Sequence, residues 1–275
     1  MSTSFGQPES AAAGRRITVP EFRGLKDAGR KITMLTAYDF TMARLIDAAG
    51  VEGILVGDTL AMVVQGHETT LPVTLEEMIY HARMVGRAVE HALTVVDLPF
   101  PTFHLGPHAA VEAAARILKE TRCQSVKLES GRQQAAVIAA LVEAGIPVMA
   151  HCGLRPQSIR QLGGFRVQRE EAQLLDDAKA AQDAGAFAVV LECIPAHVSA
   201  RITAELRIPT IGIGAGAGCD GQVLVVHDLL GMLGGRRLKH VKAYADLHAT
   251  ILDAVTRYRD EVRRGEFPGS EHSFE

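Results

Sequence analysis

Several features that would place this chain in a specialised class are scarce or missing. It has no tryptophan, four cysteines in 275 residues, and 32 acidic against 29 basic residues, a formal net charge of −3. Without an excess of positive charge it has little with which to neutralise a phosphate backbone, so no nucleic-acid partner is expected. The four cysteines form no C-x-x-C pair, and this usage predicts a reducing, cytoplasmic setting.

Long hydrophobic runs are also missing. The apolar run from Ala135 to Val142 stops at Glu143, far short of the roughly 20 residues that a bilayer span requires. Residues 1–16 are rich in Ser, Gly and Ala and contain no hydrophobic stretch, so we expect a disordered tail and not a secretory signal. The sequence therefore predicts a soluble protein without a membrane partner, in which residues 17–275 form a single domain.

Short apolar runs alternate with longer helical patterns along most of the chain. Eight runs are predicted strands: Lys31–Ala37, Gly53–Gly57, Leu93–Asp97, Ser125–Glu129, Pro147–His151, Ala188–Glu192, Pro209–Ile213 and Gln222–Val226. Apolar residues in the intervening segments are spaced by three and four, as in amphipathic helices. The strands are almost wholly apolar, which is typical of a parallel sheet covered on both faces.

Eight such strand–helix units favour an α/β fold of the (β/α)8 barrel type, which typically takes about 250 residues. A doubly wound sheet would carry a glycine-rich turn after its first strand, whereas here that strand is followed by Tyr38-Asp39-Phe40. An extra helix, Val19–Ala28, is predicted before the first strand. A helical extension, about Val241 to Arg264, is predicted after the last one.

Polar side chains occur where five consecutive predicted strands end. They are Asp58 and Thr59 after the second strand, Asp97 in the third, Lys127 and Glu129 in the fourth, His151 in the fifth and Glu192 in the sixth. In a (β/α)8 barrel the carboxyl ends of the strands carry the active site. A single strand-end acid usually caps a helix or pairs with a rim arginine, but the whole set predicts a catalytic centre.

Three of these residues, Asp58, Asp97 and Glu129, offer only hard oxygen ligands. Such ligands suit Mg²⁺ or a similar ion, and without a cation three converging acids would repel one another. His151 is open to two interpretations at this point. It is either a packed core histidine or a hydrogen-bond donor to negative charge that develops on a substrate.

These residues and their surroundings resemble the ketopantoate hydroxymethyltransferase family over about Ile17 to Phe274. The motifs that carry the resemblance are Met34-Leu-Thr-Ala-Tyr-Asp39, Leu55-Val-Gly-Asp58, Gln65-Gly-His67, Leu71-Pro-Val-Thr74, Asp97-Leu-Pro-Phe100, Val126-Lys-Leu-Glu129, Gly153-Leu-Arg-Pro-Gln157, Leu191-Glu-Cys193, Gly212-Ile-Gly-Ala-Gly216, Asp220-Gly-Gln222 and Phe267-Pro-Gly269. Each motif is short, and their order along the chain makes the resemblance specific.

The resemblance implies a barrel of the phosphoenolpyruvate/pyruvate-binding type and a metal-dependent one-carbon transferase. The implied reaction moves a hydroxymethyl group from 5,10-methylenetetrahydrofolate to 3-methyl-2-oxobutanoate, giving 2-dehydropantoate for pantothenate synthesis. Mg²⁺ or another divalent cation is the implied cofactor. The implied assembly is a homodecamer of two stacked pentameric rings.

The resemblance also implies roles for individual residues. Asp58, Asp97 and Glu129 would hold the metal, and Glu192 would be the catalytic base. Contacts to the 2-oxo acid would come from five residues at the strand ends, Asp58, Thr59, Asp97, Lys127 and His151. Thr59 stands where the family usually has Ser.

Three alternatives compete with this hypothesis. Lys127 as a Schiff-base nucleophile is disfavoured because an acid two positions away on the same strand face tends to keep it protonated. A metal-dependent lyase or aldolase acting on another 2-oxo acid would differ by not needing methylenetetrahydrofolate. A non-catalytic barrel would have to carry buried charges without a use for them.

Overall fold

The chain is described here from a computed structural model, which covers residues 15–235 and 238–274. The predicted tail, residues 1–16, lies outside the described residues except for Arg15 and Arg16. The chain divides into two compact units, Met1–Leu224 and Val225–Glu275. The assignment of residues 17–275 to a single domain stays a prediction.

The first unit is a closed barrel of parallel strands. They are β1 (Ile32–Thr36), β2 (Gly53–Val56), β3 (Leu93–Asp97), β4 (Ser125–Glu129), β5 (Val148–Gly153), β6 (Ala188–Glu192), β7 (Thr210–Ile213) and β8 (Gly221–Leu224). Each strand pairs with the next one along the chain, and β8 pairs with β1. The predicted (β/α)8 barrel is confirmed.

Helices of the first unit are α1 (Val19–Asp27), α2 (Phe40–Ala48), α3 (Leu60–Val63), α4 (Leu75–Ala88), α5 (Pro107–Glu120), α6 (Ala135–Glu143), α7 (Ile159–Leu162), α8 (Glu171–Asp183) and α9 (Ala196–Glu205). A capping box precedes α4: Thr74 Oγ1 accepts from the N–H of Glu77, and the Glu77 carboxylate accepts from the N–H of Thr74. Gly50, where φ is +81°, follows α2 because glycine takes this left-handed conformation without steric cost.

Apolar side chains fill the amino-terminal half of the barrel interior. They come from alternate positions of the strands, and include Ile32, Met34, Leu93, Val95, Met149, Ala188, Val190, Ile211 and Val223. Helix α1 closes this end, where its fully buried Phe22 packs edge-on against Phe187 with ring centroids 5.9 Å apart. Burial of one such side chain contributes about 1.5–3 kcal/mol.

The second unit contains α10 (Val226–Leu229) and α11 (Leu247–Arg264). The predicted C-terminal helix is present but begins at Leu247 and not near Val241, because Asp246 caps it by accepting from the N–H of Ala249. Helix α11 exposes apolar side chains that include Ile251, Val255, Tyr258 and Val262. No helix among the described residues combines the length and apolar character needed to cross a membrane.

Candidate active site

The carboxyl ends of β2 to β6 bring the predicted polar side chains to one end of the barrel. Five of them are almost fully enclosed: Asp58, Asp97, Lys127, Glu129 and His151 are each 3–6% exposed. Glu192, the last residue of β6, is more open, with 18% of its side chain exposed. The site therefore combines buried charges with one carboxylate that remains accessible.

A chain of polar contacts crosses the site from β2 to β6. The N–H of Asp58 donates to Asp97 Oδ2 over 3.1 Å, and Asp97 Oδ1 lies 2.6 Å from Lys127 Nζ. Lys127 Nζ lies 3.4 Å from His151 Nδ1, and His151 Nε2 lies 3.3 Å from Glu192 Oε2. An ammonium group only donates, so Nδ1 must accept and the imidazole proton is assigned to Nε2, facing Glu192.

Glu129 is linked to the rest of the site by Gln157, to which the sequence analysis gave no role. The backbone N–H of Gln157 donates to both carboxylate oxygens of Glu129, at 2.9 and 3.1 Å. Its side-chain Nε2 donates to Asp58 Oδ2 over 2.8 Å and to the carbonyl of Leu98 over 3.0 Å. The signal that pointed to Gln157 was its place in the motif Gly153-Leu-Arg-Pro-Gln157, directly after β5.

Thr59 lies beside this group at the start of α3. Its Oγ1 is 2.9 Å from the hydroxyl of Tyr38, and the Tyr38 carbonyl accepts from His81 Nδ1 over 2.6 Å. A Cβ on Gly57 would lie 2.8 Å from Thr59 Oγ1 and 3.6 Å from Asp97 Oδ2. Glycine at that position leaves room for both polar groups.

Glu192 ends β6 at a tight backbone crossing. Its carbonyl accepts from the N–H of Leu154 over 2.9 Å, and a Cβ on Gly153 would overlap that same carbonyl oxygen. The next residue, Cys193, has a φ of +49°, in the left-handed region that non-glycine residues rarely occupy. The chain therefore turns away directly after Glu192, and the carboxylate stays at the barrel mouth next to His151.

In the buried part of the site, desolvation and mutual repulsion disfavour the charged form of the acids. Burial, and then repulsion from Asp97, raises the pKa of Asp58 to about 7. Burial, followed by repulsion from Asp58, also raises the pKa of Glu129 well above its ordinary value. Burial alone would lower the pKa of Lys127, but Asp97 and Asp58 together raise it, so this lysine stays protonated.

The acids are close together, yet each is turned to a protein partner. Asp97 faces Lys127, Glu129 accepts from the Gln157 N–H, and Asp58 accepts from the Gln157 side chain. Within residues 15–235 and 238–274, no three His, Cys, Asp or Glu side chains are arranged as ready ligands for one ion. Joint metal binding by Asp58, Asp97 and Glu129 stays a prediction.

Fold and site together define a class: a (β/α)8-barrel protein with acids, a protonated lysine and a histidine at the carboxyl end of its strands. The phosphoenolpyruvate phosphomutase of Streptomyces platensis subsp. rosaceus shares the fold with a TM-score of 0.62 at 17% identity, over 90% of this chain and 88% of that one. A 2,3-dimethylmalate lyase of the PEP mutase/isocitrate lyase superfamily gives 0.59 at 17% identity, over 94% and 92%. Both comparisons agree with the predicted (β/α)8 fold.

The sequence comparisons are more specific. The model of the ketopantoate hydroxymethyltransferase family matches residues 16–270. The 3-methyl-2-oxobutanoate hydroxymethyltransferase of Rhodopirellula baltica is 54% identical over 267 residues, covering 97% of this chain and 99% of that protein. The protein of the same name from Syntrophus aciditrophicus is 52% identical over 265 residues, 95% and 97% of the two chains. The chain belongs to the ketopantoate hydroxymethyltransferase family and is an enzyme of that class, which confirms the resemblance.

Proposed function

We propose that this enzyme transfers a hydroxymethyl group to 3-methyl-2-oxobutanoate in pantothenate synthesis. The one-carbon unit comes from 5,10-methylenetetrahydrofolate, and the products are 2-dehydropantoate and tetrahydrofolate. Relatives more than 50% identical over nearly the whole chain carry the name of this activity. The structural observation that carries the proposal is the contact chain from Asp97 through Lys127 and His151 to Glu192.

The binding groups suit a small 2-oxo acid, which presents a carboxylate and a keto oxygen. Lys127 is protonated and buried, so it supplies a positive charge for the substrate carboxylate. Thr59, whose hydroxyl is held by Tyr38, offers a neutral hydrogen bond beside it. His151 carries a proton on Nε2, which is the donor that a keto oxygen or the negative charge developing on it requires.

The residues present also fit a divalent cation. Two buried acids of the site have raised pKa values, and Lys127 alone does not balance the negative charge of Asp58, Asp97 and Glu129. Gln157 Oε1 is buried and has no donor among the described residues. The carboxylate oxygens of the three acids are ligands that select Mg²⁺ or a similar hard ion. Asp58 and Asp97 would hold it, with Glu129 completing the set; when bound, the ion would polarise the keto group and acidify the C3 hydrogen.

Glu192 acts as the general base in this proposal. Its Oε2 lies 3.3 Å from His151 Nε2, and its partial exposure lets it contact a substrate that enters from the barrel mouth. It takes the C3 proton. Water hydrolyses the methylene bridge of the folate: both C–N bonds break, the two nitrogens take up the protons of the water, and the one-carbon unit is released as formaldehyde with the oxygen of the water. The electron pair left at C3 forms the new C–C bond to that carbon, and its oxygen takes up a proton to give the hydroxymethyl group.

The wider setting belongs to the same proposal. We propose a homo-oligomer, a decamer as in the sequence-based hypothesis, and the exposed apolar face of α11 supports self-association. All four cysteines are free, which supports a reducing, cytoplasmic setting. No role in binding nucleic acid or membrane is proposed.

The direct test is a product assay with 3-methyl-2-oxobutanoate and methylenetetrahydrofolate, run with Mg²⁺ and with EDTA. We expect 2-dehydropantoate only when both substrates are present, loss of turnover in EDTA, and recovery when Mg²⁺ is added back. Turnover of a 2-oxo acid without the folate would instead favour the lyase or aldolase alternative. Trapping of substrate on Lys127 by borohydride would favour the Schiff-base alternative.

A further inference from the structure

Gln157 connects the carboxyl ends of four successive strands. Its own position follows β5, its backbone N–H binds Glu129 at the end of β4, and its side chain binds the Leu98 carbonyl directly after β3. The same side-chain nitrogen also binds Asp58, which follows β2. One residue thus contacts two of the three acids that the proposed cation site requires, although those acids are 71 positions apart in sequence.

The orientation of the Gln157 amide is fixed by its partners. The Leu98 carbonyl oxygen can only accept, so the Gln157 atom that contacts both it and Asp58 Oδ2 must be the NH₂ group. The residue is 6% exposed, and buried hydrogen bonds to a charged group are among the stronger ones in proteins. Rotation of Asp58 would break such a bond, so the amide restricts the direction in which the carboxylate points.

We infer that Gln157 is a positioning residue of the cation site: its side chain holds Asp58, and its backbone N–H holds Glu129, in one fixed relation. This inference rests on the cation binding that the proposed function includes. With Oδ2 of Asp58 occupied by the amide, Oδ1 is the oxygen left to face an ion. Loss of residues that orient metal ligands typically weakens metal affinity by about 10–100-fold.

The test uses Mn²⁺ as the probe ion on the full-length protein. Gln157→Met keeps the length of the side chain and the backbone N–H to Glu129 but removes the amide that binds Asp58. Gln134→Ala is the matched control, since Gln134 Oε1 accepts from the N–H of Gly131 over 3.0 Å in the neighbouring loop and makes no contact with the acids. Affinity is measured by calorimetry and by electron paramagnetic resonance of free and bound Mn²⁺.

We expect the Kd for Mn²⁺ to rise about 10–100-fold in Gln157→Met and to change less than about twofold in Gln134→Ala. The resonance spectrum of the bound ion should broaden in Gln157→Met alone. At saturating Mn²⁺ the turnover of this variant should recover to within about threefold of the unaltered enzyme, because the residue acts by positioning a ligand and not by contacting substrate. General damage to the fold would not be corrected by added ion.

Several outcomes would overturn the inference. If the unaltered protein and Gln157→Met bind Mn²⁺ equally well, Gln157 is not a positioning residue, and the proposed function is unaffected. If the unaltered protein binds no Mn²⁺, the cation part of the proposed function fails and the inference fails with it. Should Gln157→Met not fold, Gln157→Asn keeps the amide one carbon too short to reach Asp58 and Leu98 together; unchanged Mn²⁺ affinity there would also refute the inference.

Discussion

The two ends of the barrel are built from the same strands but have opposite character. At the amino-terminal end the inward side chains are apolar, and Phe22 of α1 packs among them. At the carboxyl end the same strands place Asp97, Lys127 and His151 inside, all nearly buried. In β3, for example, Val95 points into the apolar core and Asp97, two positions later, belongs to the site.

Within one sheet, the amino-terminal end of the strands contributes to stability and the carboxyl end carries the groups for chemistry. Burial of apolar surface stabilises the fold, whereas burial of Asp58 and Glu129 raises their pKa values and works against it. The apolar side chains in the amino-terminal half offset this free-energy cost, because few of them carry polar atoms that would need a hydrogen-bond partner when buried. Mutations at the two ends should therefore change different measurable properties.

The largest effect is expected at the carboxyl end, from Glu192→Gln. The variant keeps the size of the side chain but has no base to take the C3 proton, so exchange of that hydrogen with solvent deuterium should fall by about 10²–10⁴-fold. Binding of 3-methyl-2-oxobutanoate should be retained. Nuclear magnetic resonance of the substrate in D₂O measures the exchange.

A matched control for that variant is Glu205→Gln, since Glu205 pairs with Lys179 and Arg201 outside the site. It should leave the exchange rate within about twofold of normal, as for most surface substitutions. If Glu192→Gln exchanges the hydrogen as fast as this control does, Glu192 is not the base. Another group at the carboxyl end of the barrel would then have to remove the C3 proton.

The next largest effect is expected at the amino-terminal end, from Phe22→Ala. Removal of a fully buried phenylalanine that packs on Phe187 should lower the free energy of unfolding by about 3–5 kcal/mol. Well below its unfolding temperature the variant should still exchange the C3 hydrogen at close to the normal rate. Urea denaturation and the exchange assay, run on the same preparation, test both halves of this expectation.

Phe274→Ala provides the comparison, because that ring is 94% exposed and its removal should change stability by less than about 0.5 kcal/mol. A loss of exchange in Phe22→Ala as large as in Glu192→Gln would contradict the separation of the two ends. It would mean that the packing of Phe22 in the apolar core also determines the geometry of the site.

The apolar strands and the polar site also differ in how well the sequence predicts them. Apolar runs flanked by glycine or polar residues gave the bounds of β3, β4 and β6 correctly, because such runs reflect burial directly. The bounds of β8 were shifted: Gln222–Val226 was predicted and Gly221–Leu224 is observed, since Val225 caps α10 although the run remains apolar. Apolar character alone does not show where a strand gives way to a helix.

The site was predictable where a side chain sits on a strand end and not where a loop supplies the contact. Period-two alternation placed Lys127 and Glu129 on one face of β4, and both are buried in the site. Gln157 was missed because half of its role belongs to a backbone N–H, which every residue but proline has. Its contacts depend on the conformation of the loop after β5, and the motif Gly153-Leu-Arg-Pro-Gln157 marks that loop without showing which partners it reaches.

A smaller effect on stability is expected from Asp58→Asn at the carboxyl end. The pKa of Asp58 is about 7 in the folded protein and about 3.9 for an unperturbed aspartate. Without a cation, stability should therefore be highest below about pH 4 as far as this group is concerned, and should fall as the pH rises to 7 and the buried carboxylate ionises. Asparagine removes this ionisation while it keeps an oxygen for Gln157.

In EDTA at pH 8 we expect Asp58→Asn to be more stable than the unaltered protein by about 1–3 kcal/mol. At pH 5 the difference should shrink, since Asp58 is then still protonated in the folded protein and only its ionisation in the unfolded chain disfavours folding. Turnover should be lost at either pH. Urea denaturation at the two pH values measures the effect, and equal stability of both proteins at pH 8 would show that burial of this acid carries no cost.

The smallest effect is expected from Thr59→Ser, which introduces the residue that the family usually has at this position. Serine keeps the hydroxyl that lies 2.9 Å from Tyr38 and removes one methyl group beside the proposed substrate site. The KM for 3-methyl-2-oxobutanoate should fall by no more than about threefold, because a methyl group that merely crowds a ligand is worth less than one good hydrogen bond. Thr59→Val removes the hydroxyl instead, and should raise KM by more than Thr59→Ser lowers it. The reverse order would show that shape, and not the hydrogen bond to Tyr38, determines how the mouth of the barrel holds its ligand.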